Sequence, residues 1–242
     1  MCLKIDQMKA KKELNIPLGI NENGEQDFLD LDKARHVLVA GRTGSGKSTF
    51  LHKAIKHLTK NYSKDEVRLF LIDFKQTEFN KYQNLSQIKP WAVKDYGDIV
   101  FGLYWIVEEI ESRKKEFEKE NVFNIEKFNQ KTGKGLPYIV VIVDEVADLI
   151  SPNTECGYLL QWIASYGYGV GVYLIISTQA FAPDVLVPEL KANLQTRICF
   201  PVSDIDDSFL IIHEEGAEKL SVGEFLYKSP EHTKIKKYKM ES

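Results

Sequence analysis

The run Gly41-Arg42-Thr43-Gly44-Ser45-Gly46-Lys47-Ser48 fits the spacing G-x-x-x-x-G-K-[ST], whose chemistry is phosphate binding. Glycines at 41, 44 and 46 let the backbone wrap a phosphate so that several N–H groups and a helix N-terminus point at it. Lys47 is then expected at the β- and γ-phosphates and Ser48 on Mg²⁺, with Arg42, Thr43, Ser45 and Thr49 completing the cradle for ATP. Two apolar segments, 69–73 and 138–144, end in aspartate, and only the second continues with glutamate. Asp144 is therefore the expected carboxylate of the Mg²⁺ shell, and Glu145 the group that polarises an attacking water. Hydrolysis needs that division of labour, whereas phosphoryl transfer to another acceptor often does not. Gln179 follows the apolar run 172–177 and Thr178, a strand tip expected beside the γ-phosphate, where it would sense the phosphate or orient water. Lys47, Glu145 and Gln179 form the candidate catalytic set.

These residues require a scaffold of strands that end at one edge. Apolar runs at 36–40, 67–72, 138–143, 172–177, 197–202 and 224–227 read as strands, several of them continuous enough to be covered on both faces. Phe50, Leu51, Ala54, Ile55 and Leu58 fall at helical spacing, which predicts a helix over 48–60. Ile99, Leu103, Ile106 and Ile110 mark another, with Glu109/Arg113 and Glu111/Lys115 as i,i+4 pairs and the charge run 108–120 as a solvated face. Residues 16–35 read as a hairpin in which Asn23-Gly24 supplies the positive φ values of a tight turn. The alternation implies an α/β fold around a mainly parallel sheet flanked by helices. A whole strand separates the phosphate loop from Asp144, favouring a RecA-like P-loop NTPase core. No N-K-x-D or L-S-G-G-Q motif occurs, and the arginines, at 35, 42, 68, 113 and 197, are scattered instead of grouped in a lid. The expected organisation is a polar lead-in at 1–15 that includes Lys9, Lys11 and Lys12, the hairpin at 16–35, the ATPase domain at 36–230 and a polar tail at 231–242.

With 242 residues, 35 acidic against 32 basic side chains and 43% hydrophobic content, the chain has the composition of one globular domain. A net charge of -3 excludes a uniformly basic nucleic-acid coat but not a local basic lining. The longest aliphatic stretches, 139–143 and 172–176, fall far short of the ~20 residues that cross a bilayer, and the lysine-rich N-terminus lacks the apolar region of a secretory signal. Cys2, Cys156 and Cys199 are odd in number and widely spaced, as expected in a reducing cytoplasm without a disulfide framework or zinc site.

With these residues in place, the chain resembles the motor domain of the FtsK/SpoIIIE family, within the wider FtsK–HerA group. The similarity runs from Pro17-Leu18-Gly19-Ile20 through Val39-Ala40-Gly41, Ile72-Asp73-Phe74-Lys75, Val143-Asp144-Glu145-Val146-Ala147-Asp148-Leu149 and Ser177-Thr178-Gln179. It continues in Lys191-Ala192-Asn193, Thr196-Arg197-Ile198 and Gly216-Ala217-Glu218-Lys219-Leu220. The resemblance implies ATP-driven movement along double-stranded DNA through the pore of a homo-oligomeric ring, such as a hexamer, assembled on DNA or with partners. Lys75 and Lys191 are the candidate phosphate contacts to DNA.

Ser165 and Tyr168 stand where the family usually has arginines, one of which resembles a finger reaching the neighbouring subunit's ATP. Phe209 and Ala180 replace two more, leaving Arg197 or Arg113 to serve in trans. Nothing in this sequence after Ser242 corresponds to the winged-helix domain of chromosome translocases, so directional reading of chromosomal sequence is not expected within this chain; the DNA expected is that of a plasmid, conjugative element or phage. Two other functions fit the same motifs: an ATPase for protein secretion of the type VII kind, and a non-motor regulatory ATP-binding module.

Overall fold

The computed structural model describes residues 13–88, 95–150, 154–179, 186 and 188–241. Lys9, Lys11, Lys12 and Ala180 lie outside them. In chain order the regular elements are β1 (Asn15–Ile20), β2 (Gln26–Asp30), α1 (Leu31–Ala34), β3 (Val37–Ala40), α2 (Lys47–Asn61), β4 (Val67–Asp73), α3 (Tyr96–Lys119), α4 (Ile125–Thr132), β5 (Tyr138–Asp144), α5 (Val146–Ile150), α6 (Thr154–Tyr166), β6 (Val172–Thr178), α7 (Pro188–Asn193), β7 (Thr196–Cys199), α8 (Ile205–Ile212), β8 (Glu224–Lys228) and β9 (Lys236–Lys239).

The strands form one sheet in the order β2-β1-β9-β8-β7-β3-β6-β5-β4. From β7 to β4 every pairing is parallel, and from β7 to β2 every pairing is antiparallel, so the expected parallel sheet is the core of a wider mixed one. Alternation along each parallel strand divides the interior. Leu38, Phe70, Val141 and Leu174 face one layer with the α3 stripe Ile99, Leu103, Ile106 and Ile110. Val37, Leu69, Val140 and Ile175 face the other with Phe50, Leu51, Ala54 and Ile55 of α2. Because both faces are covered, neither side of these strands needs polar residues, which explains their continuous apolar sequence. Each fully buried side chain of this kind contributes about 1.5–3 kcal/mol of transfer free energy.

Four details differ from sequence expectation. The hairpin turn uses positive φ at Gly24 (83°) but not at Asn23, because the loop is closed at Asn21, whose Oδ1 accepts from the N–H groups of Asn23 and Glu25 at 2.9 and 3.0 Å. β7 ends at Cys199 and not at Val202, since the chain bends beneath the phosphate loop, with Arg42 N–H donating to Pro201 O at 2.8 Å. On α3, Arg113 is not solvated: it is 2% exposed, bonded to Glu109 at 2.9 Å and to Val170 O at 2.9 Å. Finally, 231–242 is not simply a polar tail. β9 pairs with both β8 and β1, and Tyr238 is buried, stacked on Phe225 at 5.6 Å with its hydroxyl donating to Asp27 at 2.8 Å. The hairpin and the tail thereby join the same sheet as the parallel core.

Candidate functional site

Parallel pairing brings the C-terminal ends of β3, β6, β5 and β4 to one edge. The register sets Ala40 beside Thr178 and Asp73 beside Asp144, so the phosphate loop and the acidic strand ends open into one cavity of about 420 Å³. That size suits a nucleotide. The loop itself is held from below by Phe200. A Cβ on Gly41 (φ 151°) would lie 2.7 Å from Phe200 Cβ, so that position needs glycine for space as well as for conformation, while Gly46 (φ 123°) needs it for conformation, and a Cβ there would lie 3.0 Å from the ring. Phe200 carries no motif and is legible only through this packing.

Lys47 opens α2 and is 6% exposed, its Nζ donating to Gly41 O at 2.7 Å and Arg42 O at 3.0 Å. Burial depresses its pKa, against the pull of the Glu145 and Asp144 carboxylates. Ser45 Oγ is buried with no hydrogen-bond partner among the described residues, a polar atom left over inside the phosphate cradle. Asp144 Oδ1 accepts from Ser177 Oγ at 2.8 Å, while burial raises the pKa of Asp144 and the Ser177 bond opposes that rise. Its register neighbour Asp73 is differently engaged, with Oδ2 accepting from the N–H groups of Glu78 (2.6 Å) and Phe79 (3.1 Å), where it organises the next loop. Ser48 and Asp144 line the same cavity and offer the hard oxygen donors that Mg²⁺ takes alongside phosphate and water.

Glu145 occupies a left-handed backbone conformation (φ 47°), a strained position for a non-glycine residue at a strand-to-helix junction. Its N–H donates to Ser177 Oγ at 3.0 Å. Its carboxylate accepts from Thr178 Oγ1 at 3.1 Å and from Gln179 N–H at 3.0 Å, and the Gln179 side chain in turn meets Thr43 Oγ1. Strand β6 thus fixes both acidic residues and ties them to the phosphate loop. In the sequence Ser177 and Thr178 stand out only as neighbours of Gln179; their bonding roles depend on partners more than 30 residues away.

The remaining candidates separate. Lys75 lines the cavity and is 2.7 Å from Asp148 of α5, which keeps its ammonium strongly basic. Lys191 sits far along the chain on α7, half-buried, its pKa lowered by burial and by Arg197. Arg113 is enclosed and cannot reach another molecule. Arg197 is partly exposed but bonds Ile211 O at 2.7 Å and His213 at 2.7 Å, closing the C-terminus of α8. Tyr168, in an arginine's usual place, lies under the Arg35 guanidinium at 5.0 Å, and Ser165 donates to Gln161 O.

Comparison with known proteins bears on family and fold. The profile of the FtsK/SpoIIIE family matches residues 4–183. The chain is 34% identical over 233 residues to the DNA translocase FtsK of Leptospira interrogans, covering 92% of this chain and 25% of that protein. It is 38% identical over 218 residues to the DNA translocase SftA of Bacillus subtilis, covering 87% and 23%. The chain therefore spans about a quarter of these relatives' length. Among solved structures, the pCW3 conjugation coupling protein TcpA, a monomer form with ATPγS, superposes with a TM-score of 0.83 at 24% identity, covering 97% of this chain and 67% of that one. The cytoplasmic domain of the Thermomonospora curvata type VII secretion ATPase EccC also gives 0.83, at 20% identity over 96% of this chain and 29% of that one. At these identities the likeness is one of fold.

Proposed function

The chain belongs to the FtsK/SpoIIIE family and is an ATPase of the P-loop class; on that premise we propose that it couples ATP hydrolysis to movement of double-stranded DNA through a ring of its own copies in the cytoplasm. The observation that carries the ATPase part is the single cavity shared by Lys47, Ser48, Asp144 and Glu145. Lys47 exchanges its two carbonyl acceptors for phosphate oxygens, which concentrates positive charge where negative charge develops. Ser48 and Asp144 would hold Mg²⁺, which neutralises phosphate charge when bound. Glu145 takes the proton of the attacking water as general base. Its carboxylate accepts from Thr178 Oγ1 and Gln179 N–H and keeps acceptor capacity for the water, so the tip of β6 orients the base.

The 34–38% identity to DNA translocases supports DNA as cargo, with Lys191 as a phosphate contact and plasmid, conjugative-element or phage DNA as the duplex moved. A ring would use head-to-tail contacts that close. ATPase rate against duplex concentration tests the cargo. Several-fold stimulation by duplexes of any sequence is expected. A flat response from an active, oligomeric protein would sink the DNA reading and favour polypeptide cargo.

A further inference from the structure

The nucleotide cavity contains a second cation that the motif does not announce. Among the described residues that line it, Lys47 and Lys75 are cationic, whereas Asp73, Glu78, Asp144, Glu145 and Asp148 are carboxylates. A triphosphate entering this cavity meets five carboxylates, and beside Lys47 and the Mg²⁺ that Ser48 and Asp144 would hold, Lys75 is the further positive group among the described lining residues. Asp73 is occupied by two backbone N–H groups and Glu78 by His52 at 2.9 Å. Asp148 is occupied by Lys75, at 2.7 Å.

The pair joins two strand tips. Lys75 lies two residues beyond Asp73 at the end of β4, and Asp148 lies three residues beyond Glu145 on α5, with β4 and β5 paired up to Asp73 and Asp144. The side chain of Lys75 is 61% exposed and that of Asp148 26%, so the ammonium sits at the mouth of the cavity on a flexible stem, anchored at one point. Its other electrostatic neighbours are Glu145 and Asp144, the groups at the water and metal end of the site.

We propose that Lys75 belongs to the ATP site and not to a DNA-contacting loop: Asp148 positions its ammonium over the cavity mouth, and the γ-phosphate of bound ATP recruits it as a second positive charge. The inference rests on the nucleotide site alone, so its failure would leave the reading of cargo untouched. A γ-phosphate contact distinguishes ATP from ADP, which a merely structural ion pair does not.

The test measures ATPγS and ADP affinity, steady-state ATP hydrolysis and duplex-DNA binding for Lys75→Ala, Lys75→Arg, Asp148→Asn and the double variant Lys75→Ala/Asp148→Asn. Lys75→Ala should weaken ATPγS by about tenfold or more while ADP changes by no more than about twofold. Lys75→Arg should recover most of the ATPγS affinity. Asp148→Asn should show a smaller loss confined to ATPγS, and duplex binding and its salt dependence should stay at wild-type values throughout. Equal losses for ATPγS and ADP would overturn the proposal. So would unchanged nucleotide affinity with weakened duplex binding, which would return Lys75 to the DNA. Full recovery of ATPγS affinity in the double variant would also overturn it, by showing that the lysine does no more than neutralise Asp148.

Discussion

Lys47 and Glu145 face one cavity but act at different stages, and their variants should differ in kind. Lys47→Ala removes charge from the bound phosphates and should weaken ATP binding by at least about tenfold. Glu145→Gln keeps an oxygen that can accept from Gln179 N–H, so the local fold and ATP affinity should survive while turnover falls by about a hundredfold or more. Nucleotide titration beside a phosphate-release assay separates the two, and wild-type turnover in Glu145→Gln would remove it from the water-activating role. His36, immediately before β3, presents a different chemistry. Burial lowers its pKa to about 4 from 6.5, and its Nδ1 accepts from Leu174 N–H at 3.0 Å, fixing the neutral ring. Since only the unfolded chain takes up this proton between those values, the stability it contributes is complete above pH 6.5. It is lost as pH falls toward 4, up to about 3 kcal/mol. Urea denaturation across that range should show the slope, and His36→Asn, which retains an acceptor for Leu174, should reduce it.

At the scale of elements, the legible parts are the local ones. The phosphate loop, β3 and α2 follow from contiguous residues whose spacing serves both the fold and the phosphate, and the runs 138–143 and 172–177 read as strands because both their faces are covered. β9 was not legible, because Tyr238 is the single inward residue among lysines, and its burial is decided by Phe225 and Asp27. The Ser177 and Thr178 bonds to Asp144 and Glu145, and the Lys75–Asp148 pair, are likewise products of strand pairing across long sequence separations. β9 also reaches the site: Met240 N–H donates to Gly223 O at 2.7 Å, and Gly223 N–H donates to Ser45 O at 3.0 Å. Tyr238→Ala should therefore cost about 3–5 kcal/mol through removal of the ring and also weaken nucleotide binding. Tyr238→Phe, which loses only the bond to Asp27, should cost about 1 kcal/mol. Chemical denaturation and nucleotide titration of both variants check the link. Unaltered nucleotide affinity in a destabilised but folded Tyr238→Ala would show that β9 supports the sheet without supporting the phosphate loop.

For the whole molecule, net charge constrains the proposed DNA-binding surface. At -3 the chain as a whole repels DNA, so any attraction must come from a local concentration of positive groups. One such concentration lies away from the nucleotide cavity, where Lys191 of α7 is within electrostatic reach of Arg197, and Lys191, Arg197 and Lys228 all act on His213 at the end of α8. Arg197 and Lys228 spend part of their hydrogen bonding on the carbonyls of Ile211 and Ile212, which fixes them in place and leaves Lys191 the more adaptable member. Backbone tracking by such groups releases counterions, so duplex-stimulated ATPase should fall steeply with salt while turnover without DNA changes little. Lys191→Ala should lower the slope of log affinity against log salt by about one for each phosphate that the lysine neutralises, at unchanged ATP affinity. Random and defined duplexes should respond alike, because phosphate contacts carry no base information. Duplex binding measured at several salt concentrations reads the slope directly. A wild-type slope in Lys191→Ala would take α7 out of the DNA path, and a sequence-dependent response would require a base-reading contact that phosphate tracking does not provide.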